Sequence, residues 1–172
     1  AAGRYGIVNL WDVVSGRPLK RPQTDDGPVE DIEFSPDGQF LAVATGRHET
    51  GKPGRLMMWD IDKATWKWSR SGTQHVLCVS FSPDGTKLVT GEGDWFERSN
   101  LGTAIVRDAT SGEQLATLEG HTRFVACAAF SPDGITLATA DGSTVRLWDT
   151  EIWQLRGQLE WPGHGIDGLF FT

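Results

Sequence analysis

One pentapeptide, Phe-Ser-Pro-Asp-Gly, occurs three times in this chain of 172 residues. It begins at Phe34, Phe81 and Phe130, so the two intervals are 47 and 49 residues. Self-similarity at a period of about 40–50 residues is typical of β-propellers, in which each repeat forms one four-stranded sheet called a blade. The recurrence therefore predicts an array of similar sheet modules, and it directs the search for function to the places where the modules differ.

A second marker, an Asp after a large side chain, recurs in the same order as Trp11-Asp12, Trp59-Asp60, Arg107-Asp108 and Trp148-Asp149. Each unit is thus read as four strands, a to d. Strand a ends at the Phe, Ser-Pro-Asp-Gly turns the chain into strand b, strand c ends at Trp-Asp, and strand d completes the unit. Pro presets φ at about −65° and Gly supplies the positive φ of a tight turn. Strand b is predicted at 41–44, 88–90 and 137–139, and strand d at 115–118, with Trp66 and Trp68 on one face of another strand d.

These motifs, which recur together in one order, resemble the WD-repeat (WD40) β-propeller family over nearly the whole chain. The resemblance implies an all-β fold with three complete four-stranded blades and two partial blades in a single partial propeller domain. The complete blades are expected at about 26–70, 71–119 and 120–160, and the partial blades at 1–25 and 161–172. The repeats are similar to those of prokaryotic WD-repeat proteins, which are often regulatory regions attached to kinase or NTPase domains.

In that family a Gly-His pair before strand a, a hydroxyl residue on strand b, an Asp in the b–c turn and the Trp of strand c form a hydrogen-bonded structural tetrad. By resemblance the tetrad here comprises His121, Thr139, Asp141 and Trp148. The other blades depart from the pattern, since Gly72 and Asp25 stand at the histidine position and His75 comes three residues late. Blade three also carries Arg107 in place of the Trp, so these two blades are expected to be less rigidly tied.

Catalysis is not expected from this group of residues. A His, an Asp and a hydroxyl invite comparison with a hydrolase triad, but the sequence has no nucleophile elbow and no oxyanion-hole motif. The alternative of a propeller enzyme with an axial metal needs polar side chains where several strands a begin, and Val29, Val76 and Val125 stand there. The sequence therefore predicts a non-enzymatic protein with no cofactor and no metal.

Composition narrows the partner class and the compartment. The net charge of −7 and the pI near 5.0 argue against nucleic-acid binding, and no apolar run approaches the ~20 residues of a membrane span. Cys78 and Cys127 occupy one repeat position, three residues before the motif Phe, on strands of neighbouring blades. Sheets about 10 Å apart cannot be bridged there, so free buried thiols and a cytoplasmic location are predicted.

Two insertions carry the functional hypothesis. The motif Phe and the strand c Trp position are 18 residues apart in the last complete blade, but 25 and 26 apart in the two before it. The extra residues lie within 46–54 and 91–100, on b–c connections that emerge on the same side of a propeller. Aromatic and Arg side chains are typical of interface hot spots. The predicted site for a protein or peptide partner comprises Trp95, Phe96, Arg98, Arg47, His48, Lys52, Arg123 and Phe124. The alternative is that Trp95 and Phe96 fold over the insertion and cover their own blade.

Closure of the ring is the remaining question. By the repeat alignment the chain begins with strands c and d of one blade and finishes with strand a of another, which leaves uncovered sheet faces. One expectation is a segment of a longer chain whose ~7 blades close the ring. The other is head-to-tail self-association, in which two copies supply about eight blades. A fragment that self-assembles without a ligand of its own also stays open.

Overall fold

The computed structural model describes residues 6–24, 27–46, 53–94, 101–163 and 165–172. Within these ranges the chain forms twelve β-strands and no helix, as the repeat pattern predicts. No described helix could therefore cross a membrane. The strands are β1 Val29–Phe34, β2 Phe40–Thr45, β3 Arg55–Asp60, β4 Thr65–Ser71, β5 His75–Phe81, β6 Lys87–Gly93, β7 Thr103–Asp108, β8 Gln114–Leu118, β9 Cys127–Phe130, β10 Thr136–Ala140, β11 Thr144–Asp149 and β12 Leu155–Glu160.

The strands form three antiparallel four-stranded sheets, each in simple sequential order. The first sheet contains β1 to β4, the second β5 to β8 and the third β9 to β12. Within each sheet the first two strands are joined by the pentapeptide turn. In the first sheet the hydroxyl of Ser35 donates to the Asp37 carboxylate at 2.6 Å and accepts the amide of Phe40 at 2.9 Å. Gly38, Gly85 and Gly134 close the three turns at φ of +71°, +70° and +72°, a conformation that glycine adopts without steric cost.

Each sheet has two faces with different packing partners. The front face of a sheet, which looks toward the preceding module, carries Leu41 and Trp59 in the first sheet. The rear face, which looks toward the following module, carries Ala42 and Met58 there. The rear face of the first sheet packs on the front of the second, and the rear of the second packs on the front of the third. Alternating side chains of the middle strands thus supply the apolar clusters between neighbouring modules.

A hairpin spanning residues 6–24, the amino-terminal hairpin, covers the front face of the first sheet. Backbone bonds such as Leu19 N to Leu10 O at 2.9 Å hold it together, and Val8 and Leu10 pack against Trp59. The inner strands β1, β5 and β9 lie side by side. The described residues do not close a ring, because the front of this hairpin and the rear of the third sheet have no sheet against them.

The expectation that Trp66 and Trp68 share one face is wrong. Pairing shifts between Met58 and Trp59, so that Trp59 lies opposite Trp66 while Met58 lies opposite Trp68. A bulge of this kind adds one residue and reverses the side-chain alternation. Trp66 meets Trp59 edge to face at 5.1 Å on the front, whereas the Trp68 indole donates to Ala109 O at 3.2 Å on the rear.

Candidate functional site

The third sheet contains a buried chain of side-chain hydrogen bonds. The Trp148 indole donates to Thr139 Oγ1 at 2.7 Å, and Thr139 Oγ1 lies 2.7 Å from His121 Nε2. His121 Nδ1 lies 3.2 Å from Asp141 Oδ2. With the proton on Nδ1, each donor meets one acceptor, so Asp141 accepts from His121, His121 accepts from Thr139, and Thr139 accepts from Trp148. The structure therefore brings the four residues named by resemblance into one network.

The pKa shifts in this network favour a neutral His121 and a charged Asp141. Burial lowers the pKa of His121, although its hydrogen bond to Asp141 acts in the opposite direction. Burial raises the pKa of Asp141, but hydrogen bonds from Ser143, His121 and Thr144 outweigh burial and lower the pKa overall. The carboxylate also accepts the Thr122 amide at 3.2 Å. A neutral imidazole whose two nitrogens are both engaged has no lone pair free to act as a base.

The second sheet replaces this network with a different one, which sequence analysis missed. The repeat pairing puts Glu92 at the place of Asp141, Thr90 at the place of Thr139 and Arg107 at the place of Trp148. Glu92 Oε2 accepts the amide and the hydroxyl of Thr73 at 2.6 and 2.7 Å, and Oε1 accepts from Thr90 at 3.3 Å. The longer acid thus spans the space that a histidine fills in the third sheet.

Glu92 and Arg107 are two buried side chains of opposite charge in the second sheet, and the charge of Glu92 acts on Arg107. Glu92 is 1% exposed and Arg107 is 6% exposed. Burial lowers the pKa of Arg107, while the charge of Glu92 opposes the effect. The sequence signal that could have identified Glu92 is its spacing from the motif Phe. Thr45, Glu92 and Asp141 each stand eleven residues after such a Phe.

The first sheet has neither arrangement. Val43 takes the place of Thr139, so the buried indole N–H of Trp59 has no hydrogen-bond partner among the described residues. Thr45 instead ties the ends of β2 and β3 together, because its hydroxyl accepts the Arg55 amide at 2.9 Å. The three sheets therefore differ in polar contacts while sharing one backbone plan.

A glycine at or just after the end of each insertion makes a tight contact with the connection that leads into the next sheet. Gly54 N donates to Gln74 O at 2.7 Å, and Gly102 N donates to Arg123 O at 3.1 Å. A Cβ at Gly54 would lie 2.0 Å from Thr45 O, and one at Gly102 would lie 2.1 Å from Arg123 O. Glycine is required at both places because the backbones approach so closely. We call this edge, formed by the b–c and d–a connections, the loop rim.

The loop rim contains two of the eight residues expected to bind a partner. Arg123 is exposed, and Phe124 is half-buried where a Cβ on Gly93 would lie 2.3 Å from its own Cβ. The amide of Val125 donates to Glu92 O at 3.2 Å, which fixes this connection beside the start of the second insertion. The other six expected residues, Arg47, His48, Lys52, Trp95, Phe96 and Arg98, lie outside the described residues.

Two carboxylates of β1 join the first and second sheets along their inner edges. Asp31 Oδ2 accepts the Val79 amide at 2.9 Å, and Glu33 Oε2 accepts the Phe81 amide at 2.6 Å. Burial is the main cause that raises the pKa of Glu33 to about 7, and it also raises the pKa of Asp31. Asp31 occupies the repeat position of the two cysteines, and that correspondence was the available sequence signal.

The cysteine thiols in the described part of the chain lie in its packed interior. Cys78 and Cys127 are free and buried, and burial raises the pKa of both, that of Cys127 to about 11. No cluster of three or more His, Cys, Asp or Glu suited to a metal ion occurs there. A groove of about 410 Å³ between the first two pentapeptide turns is lined by Phe40 and by Lys67, whose ammonium lies 4.1 Å from the centre of the Phe40 ring.

Comparisons with known proteins agree with this architecture. The family described as WD domain, G-beta repeat matches residues 16–60, 66–96 and 112–149. WD repeat and SOCS box-containing protein 1 of Xenopus tropicalis is 33% identical over 85 residues, which are 48% of this chain and 19% of that protein. Protein LST8 homolog of Drosophila melanogaster is 31% identical over 97 residues, 52% of this chain and 29% of that protein.

Echinoderm microtubule-associated protein-like 2 of Rattus norvegicus is 30% identical over 95 residues, 55% of this chain and 14% of that protein. The chain thus spans less than a third of each of these curated relatives. Family matches at three positions cover more than half of the chain, and each includes the first two strands of one of the three sheets. The chain belongs to the WD-repeat family.

Proposed function

We propose that this chain is a non-enzymatic interaction scaffold that binds a protein or peptide partner along the loop rim. WD-repeat proteins bind other proteins or peptides and are generally non-catalytic. One observation carries the proposal. Gly54 and Gly102, the described glycines on the carboxyl side of the two insertions, each bond to the following d–a connection, so both attachment points lie on the same edge of adjacent sheets. Insertions on one face of a repeat array are the usual place for binding.

The chemistry of the rim favours a peptide with apolar and acidic side chains. Exposed Arg123 stands beside half-buried Phe124, and the sequence adds Trp95, Phe96 and Arg98 in the neighbouring insertion. Aromatic residues and Arg supply most of the energy at protein interfaces. Arg47, His48 and Lys52 in the other insertion extend the same basic and aromatic character.

The proposal includes the absence of catalysis, of nucleic-acid binding and of a membrane partner. The buried His121 network has each polar atom engaged, which supports a structural role. The net charge of −7 favours a protein partner over nucleic acid. Two free thiols favour a reducing compartment, and we place the chain in the cytoplasm on that ground.

A peptide-display selection on the immobilised 172-residue chain tests the proposal. Selected peptides are then titrated calorimetrically against the wild type, Arg123→Glu, Trp95→Ala and Phe96→Ala. We expect the dissociation constant to rise by roughly 10-fold or more in the rim variants. Ile135→Ala is the matched control, because Ile135 is 53% exposed and directly follows a pentapeptide turn, away from the rim. Equal affinity in the rim variants and the wild type would reject the proposed site.

The same variants separate binding from the alternative in which the two aromatic residues cover their own blade. If Trp95 and Phe96 pack inward, the Trp95→Ala change lowers the free energy of unfolding and Arg123→Glu does not. If they bind the partner, peptide affinity falls while the unfolding midpoint in urea stays within experimental error.

A second proposal is that the uncovered ends of the sheet array associate with a second copy of the chain. It is favoured by one comparison, since Trp59 and Trp148 are each 4% exposed whereas the corresponding Trp11 is 52% exposed. The alternative is that the remainder of a longer propeller chain covers these faces. Sedimentation equilibrium of the 172-residue chain distinguishes them, since self-association predicts a mass that rises with concentration.

A further inference from the structure

The structure leaves two faces uncovered, the rear of the third sheet and the front of the amino-terminal hairpin. Each resembles one of the two surfaces that pack together between the second and third sheets. Where the second and third sheets meet, Trp148 of the third packs among Val89, Val106 and Leu118 of the second. The pairing of strands assigns an equivalent to every member of this contact. The equivalents of Val89, Ala104, Val106 and Leu118 on the rear of the third sheet are Ala138, Val145, Leu147 and Leu159.

The outer part of that rear face lacks a covering sheet. Leu118 is 1% exposed, but its equivalent Leu159 is 60% exposed. Val145 and Leu147 are half-buried. The inner part is closed, since Ala138 is buried and the carboxyl-terminal segment runs beside β9, where Cys127 Sγ lies 3.7 Å from Ile166 O. The open area is therefore an apolar recess bounded by β11 and β12.

The front of the amino-terminal hairpin presents the other half of the same contact. Trp11 stands where Trp59 and Trp148 stand, at the end of a strand c. Its neighbours Val8 and Leu10 already pack on the first sheet, so the indole projects from the opposite side. A groove of about 340 Å³ along this hairpin is lined by Trp11, Pro18 and Leu19.

We propose that a second copy of this chain docks head to tail, with Trp11 of one copy packed in the recess formed by Val145, Leu147 and Leu159 of the other. This deepens the self-association proposed above. The internal interface of the second and third sheets shows that such a Trp fits such a recess. A contact between two different surfaces forms a closed ring when the rotation suits. Two copies would supply six complete sheets and two composite modules, about eight in all, which lies within the range of known propellers.

The test uses sedimentation equilibrium on the 172-residue chain and two variants, each blocked on one face. We expect the wild type to approach twice the 18.8 kDa of one chain. Trp11→Glu and Leu159→Glu alone should each raise the dissociation constant roughly 30-fold or more. A mixture of the two variants should form a heterodimer, because it restores one intact pair of Trp11 and Leu159 faces. Ile135→Glu is the matched control and should associate like the wild type.

Each other outcome rejects a different part of the proposal: the self-association, the Trp11 contact or the head-to-tail arrangement. A wild-type chain that stays at 18.8 kDa over the whole concentration range rejects self-association itself. Association that survives both variants leaves self-association standing and rejects this contact. Loss of association in both variants with no recovery on mixing rejects the head-to-tail arrangement. If circular dichroism shows that a Glu variant is unfolded, Trp11→Ala and Leu159→Ala replace the pair. None of these results bears on the loop rim.

Discussion

At the scale of single residues, the three sheets differ in how the buried polar atoms beneath the loop rim find hydrogen-bond partners. The third sheet connects Trp148, Thr139 and His121 in one chain of hydrogen bonds. The second uses the charge of Glu92, and the first leaves the Trp59 indole N–H without a partner among the described residues. A buried group without a partner costs about 1–3 kcal/mol, so the third sheet has the most to lose from a single change.

Thr139→Val should therefore lower the free energy of unfolding by about 2–3 kcal/mol, because the Trp148 indole and His121 Nε2 both lose their partner. Urea denaturation followed by tryptophan fluorescence measures the loss. Thr139→Ser, which keeps the hydroxyl, is the control and should lose much less. Equal stability of the Val and Ser variants would show that the network contributes nothing.

Glu92 and Arg107 should be energetically coupled, because removal of one leaves the other charge buried and uncompensated. A double-mutant cycle with Glu92→Gln and Arg107→Met is expected to give a coupling free energy of about 1–3 kcal/mol. The ion pair of Lys63 and Asp60, with Nζ and Oδ2 2.7 Å apart and the Lys63 side chain 77% exposed, serves as the comparison. Its coupling should be much weaker, because solvent screens the exposed Lys63 ammonium. Additive effects at Glu92 and Arg107 would contradict the pairing.

At the scale of the strands, β1 does more than line the inner edge. Its two carboxylates accept amides of β5, so they join one sheet to the next at the positions where the other inner strands carry Cys or small residues. The pKa of Glu33 is raised to about 7, because the carboxylate is partly buried and stands near Asp31. Its charge at neutral pH therefore opposes folding.

The sign of the resulting pH dependence follows from the raised pKa of Glu33, about 7 when folded against 4.5 as the ordinary value. The folded protein binds the proton more tightly, so stability is greatest below pH 4.5 for this group and falls as the pH rises through 7. Screening at a partly exposed carboxylate limits the loss to about 1–2 kcal/mol. Urea midpoints measured from pH 4.5 to 8 should show the decline in the wild type and a smaller decline in Glu33→Gln, in which the raised pKa values of Asp31 and Glu30 remain.

Asp133→Asn provides the control for that experiment. Hydrogen bonds from Ser131 and Ile135 lower the pKa of Asp133, so its titration lies below the pH window in question. The variant should keep the wild-type slope between pH 4.5 and 8. A slope that persists unchanged in Glu33→Gln would assign the pH dependence to another group.

At the scale of the whole molecule, burial is uneven along the array. All residues of β5 are buried, while all but one residue of β12 are exposed. In repeat arrays stability is the sum of module and interface contributions, so the central sheet is held from both sides and the third from one. Local opening should therefore begin at the third sheet.

Hydrogen exchange measured by mass spectrometry should show the slowest amides in β5 and β6 and faster exchange in β12. If the head-to-tail contact forms, protection of β11 and β12 rises with protein concentration, because association covers that face. Protection of β5 should not change with concentration. Uniform exchange across the three sheets would contradict the nearest-neighbour description.

The sequence determined the modules of this protein. Three Phe-Ser-Pro-Asp-Gly turns and the Trp-Asp strand ends fix the number, order and pairing of the strands, because turn chemistry and side-chain alternation are local properties. The resemblance of these motifs to the WD-repeat family, rather than local chemistry, named His121, Thr139, Asp141 and Trp148. Side-chain alternation predicted the face of Trp66 and Trp68 wrongly, because a bulge depends on the partner strand.

Only the tertiary structure decided which polar contacts replace the histidine network in the other modules. Glu92 reaches Thr73, which lies 19 residues earlier, and Glu33 reaches the backbone of Phe81, which lies 48 residues later. Neither contact follows from local pattern, since each depends on how far two sheets stand apart when their apolar faces are packed. The exposure of Trp11 is decided in the same way, because an indole is buried only where a neighbouring sheet lies against it.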